Sequence, residues 1–465
     1  MRFATILVVF STGLALGQAS AQPPELPVPP APASNDARRD LAPESVSPPL
    51  GRPVENSPPA PADRPTVSSM TLAELEEMAL QGNPTLAQAA ARVEAARGRY
   101  VQVGLYPNPV AGYIGAEMGN EGGAGQQGGF LSQELVTAKK LQLNRSVASQ
   151  EVQQAEHAWE SQRQRVLTDV RRSFSDVLFA QRTVELTEQL VRIGEEGVKS
   201  AEALMKAKEV ARNDVLQACI EADTARVILE RARNRYIAAW RNMASVMGAA
   251  DMEPRTLAGD IQDGLPQLDW DDTFGRLLAE SPQLASAQAG VARAQAALSR
   301  ECAGRVPNVD LQAAVQYDNA TRDTFASVQM GVPVPIYNRN QGNIRRAQAE
   351  LLAAHNEVQR VELALRQRFA AVFEQYTNAR YQVEKYTRDI LPNAQASLNL
   401  TNAGYQQGEY SYLFLLTAQR TFFQTNLSYL DSLRELRAAA TIIEGNLLSD
   451  SLQAGETSDR DLSQR

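Results

Sequence analysis

Residues 170–201 read VRRSFSDVLFAQRTVELTEQLVRIGEEGVKSA. Val170, Val177, Val184, Val191 and Val198 stand seven apart, and Ser173, Ala180, Thr187, Gly194 and Ala201 follow each of them by three. This is an a/d heptad seam in which a β-branched residue alternates with a mostly small one, as in helices that supercoil about one another. Small residues at one seam position let two helix axes approach closely, whereas bulky residues at both would hold them apart. The helical pattern extends over 141–205, a rod on the order of 90–100 Å at 1.5 Å per residue. A rod of that length exceeds an ordinary globular helix, so coiled-coil or α-barrel packing is expected.

The rod occurs twice. In 342–402, Ile344, Leu351, Val358, Leu365, Val372, Ala379 and Tyr386 step by seven, with Phe369, Tyr376, Val383 and Ile390 as a companion row. Its surroundings repeat as well. Asn83-Pro84 recurs as Ser281-Pro282 at an offset of 198, and Pro107-Asn108 recurs as Pro307-Asn308 at 200. Leu216-Gln217-Ala218 recurs as Leu416-Thr417-Ala418, also at 200. A period near 200 is too long for a solenoid unit and marks a duplicated half-domain. Each half is predicted to run short helix, helix, strand, strand, very long helix, turn, helix.

The strands are read from period-two alternation. Val309, Leu311, Ala313, Val315 and Tyr317 oppose Asp310, Gln312, Ala314, Gln316 and Asp318, and Ala326 to Val334 follow with the same alternation. Val110 to Met118 and Phe130 to Leu135 alternate more weakly around a Gly-rich turn at Gly119–Gly129. Apolar on one face and polar on the other suits a membrane β-barrel, and also a hairpin on a soluble core. Four strands cannot close a membrane barrel, the smallest having about eight. The chain must therefore either oligomerise around a pore or not span the membrane.

The N-terminus reads as an export signal: Arg2, then the largely apolar Ile6 to Leu16, then Ala19-Ser20-Ala21 as a cleavage site. Residues 1–21 are assigned as signal peptide and 22–67 as a disordered Pro- and Ala-rich leader. The remaining expected boundaries are a first repeat at 68–248, an inter-repeat linker at 249–270, a second repeat at 271–448 and a polar tail at 449–465. No later window offers about 18 uninterrupted apolar residues, so no transmembrane helix is expected. The net charge of −8 argues against a nucleic-acid surface. Cys219 and Cys302 are the only cysteines and form no disulfide framework, so two half-buried thiols are expected. His157 and His355 are the only histidines and stand isolated on the rods, which offers no metal site. Charged residues such as Arg163 and Arg165 are read as solvated faces and intersubunit pairs. No nucleophile–base set and no phosphate-binding loop is present, so neither an enzyme nor a cofactor is expected.

Four segments together resemble the TolC-like outer-membrane efflux factors over residues 70–447. They are Thr71-Leu72-Ala73-Glu74-Leu75-Glu76-Glu77-Met78-Ala79-Leu80 with Asn83-Pro84, Gly104-Leu105-Tyr106-Pro107-Asn108-Pro109, Val334-Pro335-Ile336-Tyr337-Asn338-Arg339-Asn340-Gln341-Gly342-Asn343, and Tyr405-Gln406-Gln407-Gly408-Glu409-Tyr410-Ser411. The third is most similar to the branch associated with cobalt–zinc–cadmium resistance pumps. The resemblance implies a mainly α fold with a small β part. Three chains would each give four strands to one twelve-stranded transmembrane β-barrel, and paired coiled-coil helices would form an α-barrel through the periplasm. It implies a passive exit duct in the outer membrane, partnered by a periplasmic adaptor and an inner-membrane resistance-type pump, with heavy-metal cations as candidate cargo. A soluble periplasmic coiled-coil adaptor or scaffold is the competing reading.

By family position, two helix reversals would form the periplasmic tip and the adaptor contact: Lys208, Glu209 and Asp214 in the first half, Gly408, Glu409, Tyr410 and Ser411 in the second. Gly408 is suited to a left-handed helix C-cap and Ser411 to an N-cap. Relatives with an aspartate-lined constriction carry carboxylates where this chain has Phe414 and Thr417. That departure argues against an acidic cation ring and for an apolar constriction at Phe414.

Overall fold

The computed structural model describes residues 70–119, 123–262 and 264–453. The signal peptide, the leader, the tail beyond 453 and the centre of the first hairpin turn lie outside these residues.

The two halves carry the same series of elements. The first is α1 (Leu72–Gly82), α2 (Pro84–Gln102), β1 (Val110–Ala116), β2 (Gln126–Leu135), α3 (Lys140–Lys206) and α4 (Arg212–Val246). The second is α5 (Trp270–Glu280), α6 (Pro282–Ala303), β3 (Val309–Asp318), β4 (Thr324–Gly331), α7 (Gln341–Lys385), a π-helical turn (Tyr386–Ile390), α8 (Leu391–Gln406) and α9 (Tyr412–Glu444). Helix starts follow their capping residues. The Asn83 side chain accepts the Thr85 N–H at 2.9 Å and Ser281 Oγ accepts the Leu284 N–H at 3.4 Å, each with proline at the next position, where no donor is needed.

The heptad seam of α3 is buried in its first part and only half-buried at Val184, Val191, Gly194 and Val198. Val170 and Val177 are fully buried, and Ser173, Ala180, Thr187 and Ala201 are nearly so. Its partner is a stripe the sequence reading did not single out: Ala218, Ala222, Ala225, Leu229 and Ala232 of α4, all buried. Within this contact Ala222 faces Gly194. A Cβ added at Gly194 would lie 3.1 Å from the Cα of Ala222. At this point glycine allows an approach that a side chain at 194 would crowd.

Each half has its own core where its short helices pack on its rod. In the first, Leu75, Ala79 and Leu86 meet Val166, Val170, Val177, Trp240, Met243 and Met247, with the Trp240 indole donating to the Met252 carbonyl at 2.9 Å. In the second, Leu277 and Leu284 meet Leu365, Phe369, Tyr376, Leu436 and Ile443. The Tyr376 hydroxyl donates to the Pro266 carbonyl at 2.7 Å and accepts the Leu268 N–H at 3.0 Å. Both inter-repeat ends are thus pinned to buried aromatic side chains.

Three expectations are corrected. The second rod is not one α-helix: Pro392 lacks an N–H, and its ring would strike the carbonyl of Arg388. The chain absorbs this as the π turn, where the Leu391 N–H bonds Tyr386 five residues back. The heptad rows end at Tyr386 and Ile390 for the same reason. Strand β2 begins at Gln126, inside the stretch read as a turn, and β4 ends at Gly331 instead of Val334. Cys302 is exposed, while Cys219 is half-buried, and both are free.

Candidate functional site

The tips follow from backbone chemistry. At the second, Gly408 takes φ +75°, its N–H bonds the Tyr405 carbonyl at 3.1 Å and the Glu409 N–H bonds Gly404 at 2.8 Å. This pair of bonds is the Schellman motif, which satisfies the last carbonyls of α8. At the first tip Lys208 does the same with φ +62°, its N–H 3.0 Å from the Met205 carbonyl and that of Glu209 2.9 Å from Leu204. A lysine here carries the strain that glycine avoids. Lys208→Gly is therefore expected to stabilise the folded chain by about 0.5–1 kcal/mol, read as a higher denaturant midpoint. An unchanged or lower midpoint would refute the strain.

The following helices are capped differently. Ser411 Oγ accepts the Phe414 N–H at 3.4 Å, as its residue type predicts. In the first tip the cap position is Ala211, and the Asp214 carboxylate instead accepts the Ala211 N–H at 3.0 Å. Asp214 thus has a local duty at its own helix start, whereas Lys208, Glu209 and Glu409 point their charges into solvent.

Tyr410 lies over Gly404, where an added Cβ would meet its ring at 2.3 Å, and Phe414 packs on Tyr410 with centroids 5.0 Å apart. Phe414 remains 54% exposed, so its ring is presented on the α9 surface instead of being consumed by the core. Thr417 is also exposed and its hydroxyl donates back to the Leu413 carbonyl at 2.9 Å. Tyr412 was missed from sequence. Its hydroxyl sits over Gly197 of α3, 2.4 Å from where a Cβ would be, and so links the two hairpins near the tip. Burial, with help from Tyr405 and Glu221, pushes its pKa up to about 12. Nothing in the local sequence marks Gly197, which lies off the seam.

Higher on the rods, His157 is half-buried and His355 exposed. No group of three His, Cys, Asp or Glu among the described residues is placed to hold a metal. Arg163 pairs with Glu160 at 3.0 Å, but Arg165 departs from a solvated reading: its Nε is buried with no hydrogen-bond partner among the described residues. Between α3 and α4, Arg226 holds Glu195 below the usual carboxylate range through a 2.8 Å hydrogen bond.

The four strands form one antiparallel sheet in the order β1-β2-β3-β4, so the central β2–β3 pairing joins the two halves. Registration puts Tyr113, Leu131, Leu311, Val315, Tyr317, Val328 and Met330 on one face. All seven are exposed. Glu134, Ser132, Gln312, Gln316, Ser327 and Gln329 lie on the other. One face thus exposes a run of large apolar side chains, while the other mixes these polar residues with Val110, Ile114, Phe130 and Phe325; so broad an exposed apolar run is the reverse of a soluble sheet packed on a core. Among the described residues, strands β1 and β4 each have one edge unpaired.

The family described as outer membrane efflux protein matches residues 75–249 and 274–444, one match in each half. The cobalt–zinc–cadmium resistance protein CzcC of Cupriavidus metallidurans is 25% identical over 381 residues, 82% of this chain and 90% of that protein. Among solved structures, CusC, described in terms of folding and transmembrane channel formation, aligns with a TM-score of 0.69 at 18% identity, over 83% of this chain and 93% of that one. The open-state MtrE outer membrane channel of Neisseria gonorrhoeae aligns at 0.67 and 17% identity, over 81% and 88%. At such identities the structural likeness speaks for the fold, and the family match carries the rest. With both repeats matched and the outward apolar sheet above the paired rods, this chain belongs to the outer membrane efflux protein family.

Proposed function

We propose that three copies of the chain close their sheets into one twelve-stranded barrel and conduct cargo passively from a periplasmic adaptor and inner-membrane pump to the exterior. The observation that carries this is the sheet with an exposed apolar face and two open edges, β1 and β4. In lipid no water can satisfy an open edge, so each β4 must find a β1, and only neighbouring copies supply one. A soluble scaffold would leave Val328 and Met330, 75% and 70% exposed, facing water.

The boundaries proposed from sequence, 68–248 and 271–448 with 249–270 between, divide this duct into its two repeats. At its periplasmic end, Lys208, Glu209, Asp214, Gly408, Glu409, Tyr410 and Ser411 form the adaptor contact. Phe414 and Thr417 line the constriction, which is apolar at Phe414. Heavy-metal cations are the proposed cargo, supported by the resistance named for the Cupriavidus relative. Carboxylates are not needed to bind a cation that only passes through.

Glu409 is the cleanest tip residue to test, since its side chain caps nothing while its backbone makes the turn. In cells lacking the native copy, wild type should restore growth on cobalt, zinc or cadmium. Glu409→Lys should restore less, with adaptor crosslinking reduced at equal outer-membrane level. Unchanged crosslinking and growth would count against the tip assignment, and failure of wild type to restore metal tolerance would count against the cargo. For the constriction, Phe414→Ala should raise single-channel conductance in a planar bilayer. Equal conductance would remove Phe414 from the pore.

A further inference from the structure

All four strands meet the helices at the same end of the sheet, and the outward apolar alternation does not stop there. Beyond Met330 it continues through Val332 and Val334, 45% and 76% exposed, to Ile336 at 62% and Tyr337 at 90%. This run lies outside β4. Pro333 and Pro335 have no N–H to give a neighbouring strand, and the Ile336 N–H turns back to the Val334 carbonyl at 2.9 Å. At the same end of the sheet, the segment entering β1 exposes Tyr106 at 71%. In a closed barrel β4 of one copy meets β1 of the next, so the two tyrosine corners flank the same subunit boundary.

Unpaired cations gather at this end. Lys140 Nζ donates to the Val306 carbonyl at 2.5 Å and to Asn308 Oδ1 at 2.6 Å, so that Lys139 and Arg305 flank one corner. Burial, chiefly, lowers the Lys140 pKa. Asn340 Nδ2 donates to the Glu301 carbonyl at 2.8 Å and carboxylate at 2.7 Å, which brings Arg339 to the same corner. Of the acids here, Glu301 is held by Asn340 and Arg300, and Glu134 by Asn308 at 2.6 Å, which leaves Asp310 as the exposed carboxylate against Lys139, Arg305 and Arg339. Lys139, Arg305 and Arg339 are exposed, and none is in an ion pair among the described residues. In a chain of net charge −8, this is a local reversal of sign.

We propose that this corner is a site for anionic phospholipid of the periplasmic leaflet. The apolar residues Val332, Val334 and Ile336 enter the acyl region, Tyr106 and Tyr337 lie at headgroup depth, and Lys139, Arg305 and Arg339 hold the phosphate. Continuity with the lipid-facing sheet supplies the apolar half of the fit, and charge complementarity the other. The site rests on the closed-barrel reading above.

The test uses full-length protein in a nonionic detergent, with phosphatidylglycerol or phosphatidylcholine of matched acyl chains added before thermal unfolding. Wild type should gain several degrees more from phosphatidylglycerol. The triple variant Lys139→Gln, Arg305→Gln, Arg339→Gln should lose at least half of that difference while still running as a heat-sensitive oligomer. Equal protection of wild type by the two lipids, or an undiminished difference in the triple variant, overturns the proposal. Should the triple variant fail to assemble, Arg339→Gln alone decides: a reduced preference supports the site and an unaltered one overturns it. Wild type that is monomeric in detergent would instead strike the barrel reading itself.

Discussion

Gly128→Ala is expected to abolish most outer-membrane assembly. Gly128 sits in β2 opposite Gln316 of β3. A Cβ there would lie 2.0 Å from the Val315 carbonyl oxygen and 2.7 Å from the Gln316 Cα. Both obstacles are backbone, so no side chain can swing aside, and relief requires the strands to part. Overpacking of this kind costs about 1–3 kcal/mol even in cores that can adjust. Here it opens the strand pairing that joins the halves within the sheet, and a trimer would carry the defect three times. The neighbouring glycine is the control. At Gly129 an added Cβ would lie 3.8 Å from the Gly112 carbonyl oxygen, ordinary contact, so Gly129→Ala should assemble like wild type. The readout is the fraction of protein recovered from outer membranes as a heat-sensitive oligomer on a gel. Equal recovery of the two variants would show that β2 and β3 do not approach as described.

Gly128 also marks what sequence could and could not yield. The rods were legible because a heptad constrains every seventh residue, and thirty or more residues repeat the message. The offsets of 198–200 between Asn83 and Ser281, or Pro107 and Pro307, exposed the duplication, while the strands came from alternation and the tips from family position. The strand β2 was harder, because Gly128 and Gly129 read locally as turn residues; glycine serves both a reversal and a close backbone approach, and only the partner strand distinguishes them. The π turn was missed because the heptad rows continue through it to Ile390, masking a proline two residues later. Lys208 was named for its position, but its left-handed backbone was not foreseen, since its equivalent, Gly408, adopts that conformation without strain. Contacts between the two hairpins, such as Tyr412 over Gly197, involve residues about two hundred apart with no shared periodicity. Nothing local records them.

The second large effect tests which face of the sheet meets lipid. Val328 lies near the middle of β4, pairs with Ala313 and is 75% exposed on the apolar face. An arginine facing the bilayer midplane costs about 2–4 kcal/mol per strand. Three chains would bring that to about 6–12 kcal/mol for the assembly, comparable with the whole stability of a folded domain. Val328→Arg should therefore leave almost no oligomer in the outer membrane. Gln329→Arg changes the adjacent residue by the same group, but on the polar face, beside Gln312. It should assemble at wild-type levels and alter only the charge inside the pore, read as a shift in ion selectivity in planar bilayers. One register step separates these outcomes, because successive strand residues point to opposite faces. Were Gln329→Arg the destructive change and Val328→Arg the silent one, lipid would lie inside the sheet's curve and water outside. No barrel can be built that way. Two silent changes would mean that the sheet does not cross a membrane, and the open edges of β1 and β4 would then need another partner.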